Sequence, residues 1–150
     1  MNVFIEYFTQ TLAAFFATVA FGILFSAPWK QYIPCGICGA VSWLVYYACA
    51  TPFGVVYATF LATLVIVLLS RFMAIIRKCP VTVFLVCGII PLVPGSAIYY
   101  TAYHFFMDDM ANAAHYGLLT FKLAAAIVLG MVIILAIPLP PLRSALRFHR

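Results

Sequence analysis

Charge is the ingredient this chain has least of. Of 150 residues, 8 are Lys or Arg and 3 are Asp or Glu, so charged residues make up 7%. A soluble domain of this size coats its surface with about 25% charged residues, so a freestanding soluble fold is excluded. The chain also lacks a phosphate-binding glycine loop, a nucleophile elbow and a paired catalytic carboxylate. No spacing of His, Cys, Asp and Glu makes a credible metal site. An enzyme is therefore not expected, and neither is a cofactor. The net charge of +5 does not point to nucleic acid, because seven of the eight basic residues fall at the ends of apolar runs. No surface is left to grip phosphates.

What the chain has in abundance is apolar length. Hydrophobic residues make up 67%, and the mean hydropathy is +1.17. Its runs reach the ~20 residues a helix needs to cross hydrocarbon. They are continuous rather than alternating, which excludes an outer-membrane barrel. The expected fold is all-α: a single transmembrane domain over residues 1–150. Five spans are expected at about residues 3–27, 33–50, 55–76, 80–107 and 113–137. Pro28-Trp29-Lys30 ends the first, Thr51-Pro52-Phe53-Gly54 the second, Arg77-Lys78 the third, Asp108-Asp109 the fourth and Pro138 the fifth. The first run has no basic segment before it and is too long for a cleaved signal, so it reads as a span.

Five crossings place the two ends on opposite sides. One side collects Lys30, Arg71, Arg77, Lys78, Arg143, Arg147 and Arg150; the other collects Glu6, Asp108 and Asp109. Basic loops stay in the cytoplasm, so the N-terminus is expected outside and the C-terminus inside. Arg71 is expected to snorkel to the interface.

The fourth span carries the most informative residues. Pro91-Leu92-Val93-Pro94-Gly95-Ser96 interrupts it near mid-membrane. Backbone freed there finds no water, so such a break persists only against protein or a wet cavity. Transporters build substrate sites from helices broken in this way. Pro94 lacks an N–H, Gly95 can take positive φ, and Ser96 is suited to cap a second half-helix. The free N–H groups of that half-helix suit a carboxylate, and the carbonyls before Pro94 suit an ammonium group.

Ile89-Ile90-Pro91-Leu92-Val93-Pro94-Gly95-Ser96, followed by Tyr99 and Tyr100, resembles the signature of the threonine/serine exporter family. The likeness is to its C-terminal membrane half, which in many bacteria is a separate small subunit. It implies a secondary exporter of small hydrophilic metabolites in the bacterial inner membrane, by family threonine and serine, coupled to protons. It also implies a larger five-span partner subunit, with this chain as one half of an inverted-repeat transporter. Pro91, Pro94 and Gly95 are the family-motif positions. Small dicarboxylates such as succinate are the alternative substrates.

Further candidates follow from spacing. Tyr100, His104 and Asp108 recur every four residues, which would place them on one helix face; Tyr99 and Tyr103 form the next stripe, and Tyr99 and Tyr100 are expected to meet substrate on a polar path from mid-membrane to the outside. His104 and Asp108 are expected to serve as a proton relay, with Asp109 a solvated loop residue. Lys122 lies inside the fifth span, where a charge needs a partner or water, and is expected to meet a substrate carboxylate or Asp108. His115 lies two turns before it. Cys35-Gly36-Ile37-Cys38 opens the second span. It supports a second alternative, a quinone-linked membrane thiol oxidoreductase, against a packing role for its small residues.

Overall fold

The structure, a computed structural model, describes residues 3–137. Pro138, Pro140, Pro141 and the tail arginines Arg143, Arg147 and Arg150 lie outside the described residues. The described chain is all-helical: α1 Val3–Leu24, α2 Tyr32–Phe53, α3 Val55–Arg77, α4 Val81–Ile89, α5 Gly95–Phe106 and α6 Met110–Ala136. Single 3₁₀ turns occupy Trp29–Gln31 and Ile90–Leu92. Four helices are long and apolar enough to cross a membrane alone. The fifth crossing is the bent pair Val81–Leu92 and Gly95–Phe106, which meet at 49°. A re-entrant loop must turn back on itself, so a bend of this size fits one broken span.

The second span runs further than its turn signal suggests. Pro52 lies inside α2, and the helix stops only at Gly54, whose φ of 82° is open to glycine. A proline in the last turn removes one hydrogen bond only, and apolar surroundings hold the rest. Pro34, in the first turn of α2, removes none.

Three helices end on a left-handed residue that is not glycine: Ser26, Lys78 and Asp108. After Ser26, the Ala27 amide reaches back to the Gly22 carbonyl at 2.9 Å. After Lys78, Cys79 reaches Ala74 at 3.2 Å, and after Asp108, Asp109 reaches His104 at 2.9 Å. These are Schellman closures, which satisfy the last carbonyls of each helix.

The bundle is built around α3, which packs on α2, α4 and α6, while α1 lies against α2 and α4. The centre holds Cys38, Ala62, Ile66, Val67, Leu92 and Ile134. A second cluster joins Cys35, Ala74, Phe84 and Cys87. Helices come close because small residues line the seams. A Cβ on Gly39 would stand 1.9 Å from Thr18 Oγ1, and one on Gly36 would stand 2.6 Å from the Phe15 ring. The outer faces carry Phe8, Phe16, Leu68, Phe72, Leu118 and Phe121, all exposed, as a lipid-facing surface requires.

Arg71 does not snorkel freely. Its guanidinium donates to the carbonyls of Ile134 and Ile137, the latter at 2.7 Å. It caps the C-terminal end of α6, where the helix dipole favours a cation.

Candidate functional site

The break begins with the 3₁₀ turn Ile90–Leu92, closed by the Val93 amide donating to Ile90 at 3.1 Å. Val93 is extended, and Pro94 follows with φ −75° and ψ 55°. Those angles are an inverse γ-turn, closed by the Gly95 amide on the Val93 carbonyl at 2.7 Å. α5 then starts at Gly95. Ser96 is not its cap: Pro94 holds that position, and no side chain caps the helix. Gly95 is not left-handed either; Gly54 is the positive-φ glycine among the described residues. The proline ring at 94 makes the turn, so neither device is needed.

The unwinding leaves backbone groups free. Ile98 donates to Pro94 at 3.0 Å, but the Ser96 and Ala97 amides have no acceptor among the described residues. Ser96 and Gly95 are exposed, and a Cβ on Gly95 would meet nothing within 4 Å.

On its other side the break borders a cavity of about 220 Å³. Gln10, Ala13, Ala14 and Ala17 of α1, Trp43 of α2 and Pro91 line it. The Trp43 indole Nε1 is buried with no hydrogen-bond partner. Sequence reasoning missed Gln10 and Trp43. The available signal was a polar side chain and a tryptophan placed within spans rather than at their ends.

The remaining candidates separate into other places. Tyr100 and His104 both lie against Tyr116 of α6, with centroids at 5.3 and 5.5 Å. Tyr99 stacks with Tyr103 at 6.2 Å and meets Tyr100 edge-on at 5.4 Å. None of these residues lines the cavity beside Pro91. The partner of His104 is Asp109, with Nδ1 and Oδ2 3.3 Å apart, and not Asp108. The helix ends at Phe106, and Asp108 takes φ 60° to close it, which removes Asp108 from the four-residue register. Asp109 also starts α6, accepting from the Asn112 side chain at 2.7 Å and its amide at 3.2 Å. Those bonds, the side-chain one first, hold its carboxyl below the usual aspartate range.

Lys122 makes no ion pair with Asp108 among the described residues. It lines a separate apolar cavity of about 390 Å³ with Val56, Tyr57, Phe60, Phe121 and Leu129, between α3 and α6. No residue from Pro91 to Ser96 borders that space.

Cys35 and Cys38 are free thiols with 0% exposure. They face different core clusters, Cys38 toward Ile66 and Cys35 toward Phe84. Reactive cysteines need an accessible sulfur, and neither is offered to a quinone. The thiol oxidoreductase alternative finds no support.

A multi-pass helical protein whose fourth span unwinds beside a small cavity has the build of a membrane transporter. Residues 10–137 match the family described as Threonine/Serine exporter, ThrE. The chain belongs to the threonine/serine exporter family, which supports an exporter role. No protein of curated function and no solved structure matches it.

Proposed function

We propose that this chain is one subunit of a secondary exporter of threonine and serine in the bacterial inner membrane. The observation that carries this is the unwound turn Ile90–Gly95 with the cavity beside Pro91. Unpartnered amides at Ser96 and Ala97 suit a substrate carboxylate. The substrate binds at the break, and export proceeds by alternating access, one half rocking against the other. A larger five-span subunit supplies the other half. It seats against the open face at Gly95 and the exposed side of α5, which carries Ile98, Tyr99 and Tyr103. The odd number of spans supports this pairing, because a second five-span half then enters with opposite topology.

Coupling is to protons. The His104 and Asp109 pair takes the place first assigned to His104 and Asp108, with Asp108 serving the helix end.

The test is counterflow of labelled serine in liposomes holding this chain and its larger partner. Gly95→Val is expected to abolish it while leaving the chain folded, because the added side chain meets nothing inside this chain. Undiminished counterflow in that variant would remove the break from the transport path. Counterflow of succinate in place of serine would assign the dicarboxylate alternative.

A further inference from the structure

The seam between α3 and α6 carries a cation near each end. Arg71, toward the basic end of the bundle, is engaged by the carbonyls of Ile134 and Ile137. Lys122, at the other end, faces no anion: His104 with Asp109 is the ion pair found among the described residues. Between the two cations the helices close at Gly130, where a Cβ would stand 2.9 Å from Thr63 Cγ2. From that crossing toward the start of α3 they leave a notch of about 390 Å³. Val56, Tyr57 and Phe60 form one wall, and Phe121, Ala125 and Leu129 form the other.

The register of the seam sets the depth of Lys122. The two helices run in the same direction, and Gly130 lies against Thr63. Eight residues before each, Lys122 stands level with Val55, the first residue of α3. α3 has 23 residues, about 34 Å at 1.5 Å per residue, enough to cross a ~30 Å hydrocarbon core. Its first turn therefore lies at the headgroup boundary away from the basic loops, the outer one by the positive-inside rule. The notch runs from that boundary into the hydrocarbon. Tyr57, Phe121 and Leu129 are exposed on the lipid-facing surface, and no residue of α5 lines the space. Its size falls among the ~300–1,000 Å³ pockets that hold small ligands.

We propose that this notch binds an anionic phospholipid of the outer leaflet. An acyl chain lies between Phe60, Phe121 and Leu129. Lys122 takes the phosphate at the boundary, and the Tyr57 hydroxyl is a second donor. A zwitterionic headgroup would set its own ammonium beside Lys122, so the site prefers a lipid of net negative charge. The inference is independent of which solute the protein moves.

The test is native mass spectrometry of the full chain, purified with any subunit that accompanies it and stripped of lipid in detergent. Phosphatidylglycerol and phosphatidylethanolamine of identical acyl chains are titrated separately. The first phosphatidylglycerol is expected to bind about fivefold tighter, the worth of one lysine beside an anionic headgroup. Lys122→Gln should abolish that preference, and Lys122→Arg should keep it. Ala125→Phe, which fills the notch and leaves the lysine, should weaken both lipids. Equal binding of the two lipids overturns the proposal. So does a preference that survives Lys122→Gln, which would put the anionic lipid at the opposite end near Arg77 and Lys78. Unaltered affinity in Ala125→Phe, or cross-linking of Tyr57→Cys to a second protein chain, overturns it as well, the latter by showing the notch covered by protein. The titration needs no transport, so failure of serine counterflow leaves its result standing.

Discussion

The imidazole of His104 and the carboxylate of Asp109 are joined twice: Nδ1 lies 3.3 Å from Oδ2, and the histidine's own carbonyl accepts the Asp109 amide at 2.9 Å. The link closes α5 and opens α6 with one residue. Asp109 carries three roles there, as Schellman donor, helix cap and partner of His104.

Asp109→Ala is expected to lower the melting temperature of the detergent-solubilised protein at pH 7. Because folding depresses this carboxyl's pKa, its stabilisation is fully present above the unfolded aspartate value of about 3.9. It is lost as pH falls through the lower folded value. The gap between wild type and variant should therefore narrow below about pH 4, where the carboxyl itself titrates. A gap that widens as pH falls below about 4 would contradict the assignment. Asp109→Asn, still a good cap, should keep most of the stability.

Arg71→Met should loosen the last turn of α6 by about 1–2 kcal/mol, because two carbonyls lose a charged donor. Hydrogen exchange at Ile134–Ala136 is the readout. Arg71→Lys should recover part of the loss, since a single ammonium lacks the guanidinium fork. Unchanged exchange in Arg71→Met would show the contact to be idle.

The helix seams should respond unequally to an added methyl. At Gly39 the new Cβ would lie 1.9 Å from Thr18 Oγ1 and 2.7 Å from Thr18 Cβ. Gly39→Ala should therefore cost about 1–3 kcal/mol, partly recovered by Thr18→Ala. At Gly88 the nearest atom is Ile66 Cδ1, the end of a flexible side chain, so Gly88→Ala should cost less. Gly95→Ala should leave stability of the isolated chain unchanged. Thermal melts of the three variants test the order.

Maleimide labelling should separate the five cysteines. Cys35, Cys38 and Cys87 are buried, while Cys49 and Cys79 are partly exposed. The first three should label only after unfolding, and Cys79, in the turn after α3, should label first. Cys38→Ser should retain transport. Fast labelling of native Cys35 or Cys38 would reopen a redox role.

The membrane class, the number of crossings and the site of the break were legible in the residue order. A span is selected by its own length and polarity against hydrocarbon. Pro91 and Pro94 act on the backbone they belong to. Both are local causes, so residues 81–106 announce a broken crossing without knowledge of their neighbours. Assignment to the exporter family follows from the same local run.

Pairing across helices was not legible. The four-residue spacing of Tyr100, His104 and Asp108 assumes a helix that continues, and α5 stops at Phe106. One left-handed residue there turns Asp109 toward His104 in place of Asp108. Gln10, Trp43 and Pro91 belong to three different spans and meet only because small residues let α1, α2 and the unwound turn approach. Hydropathy reads one segment at a time, whereas a cavity belongs to several segments at once, and its shape comes from how their side chains pack.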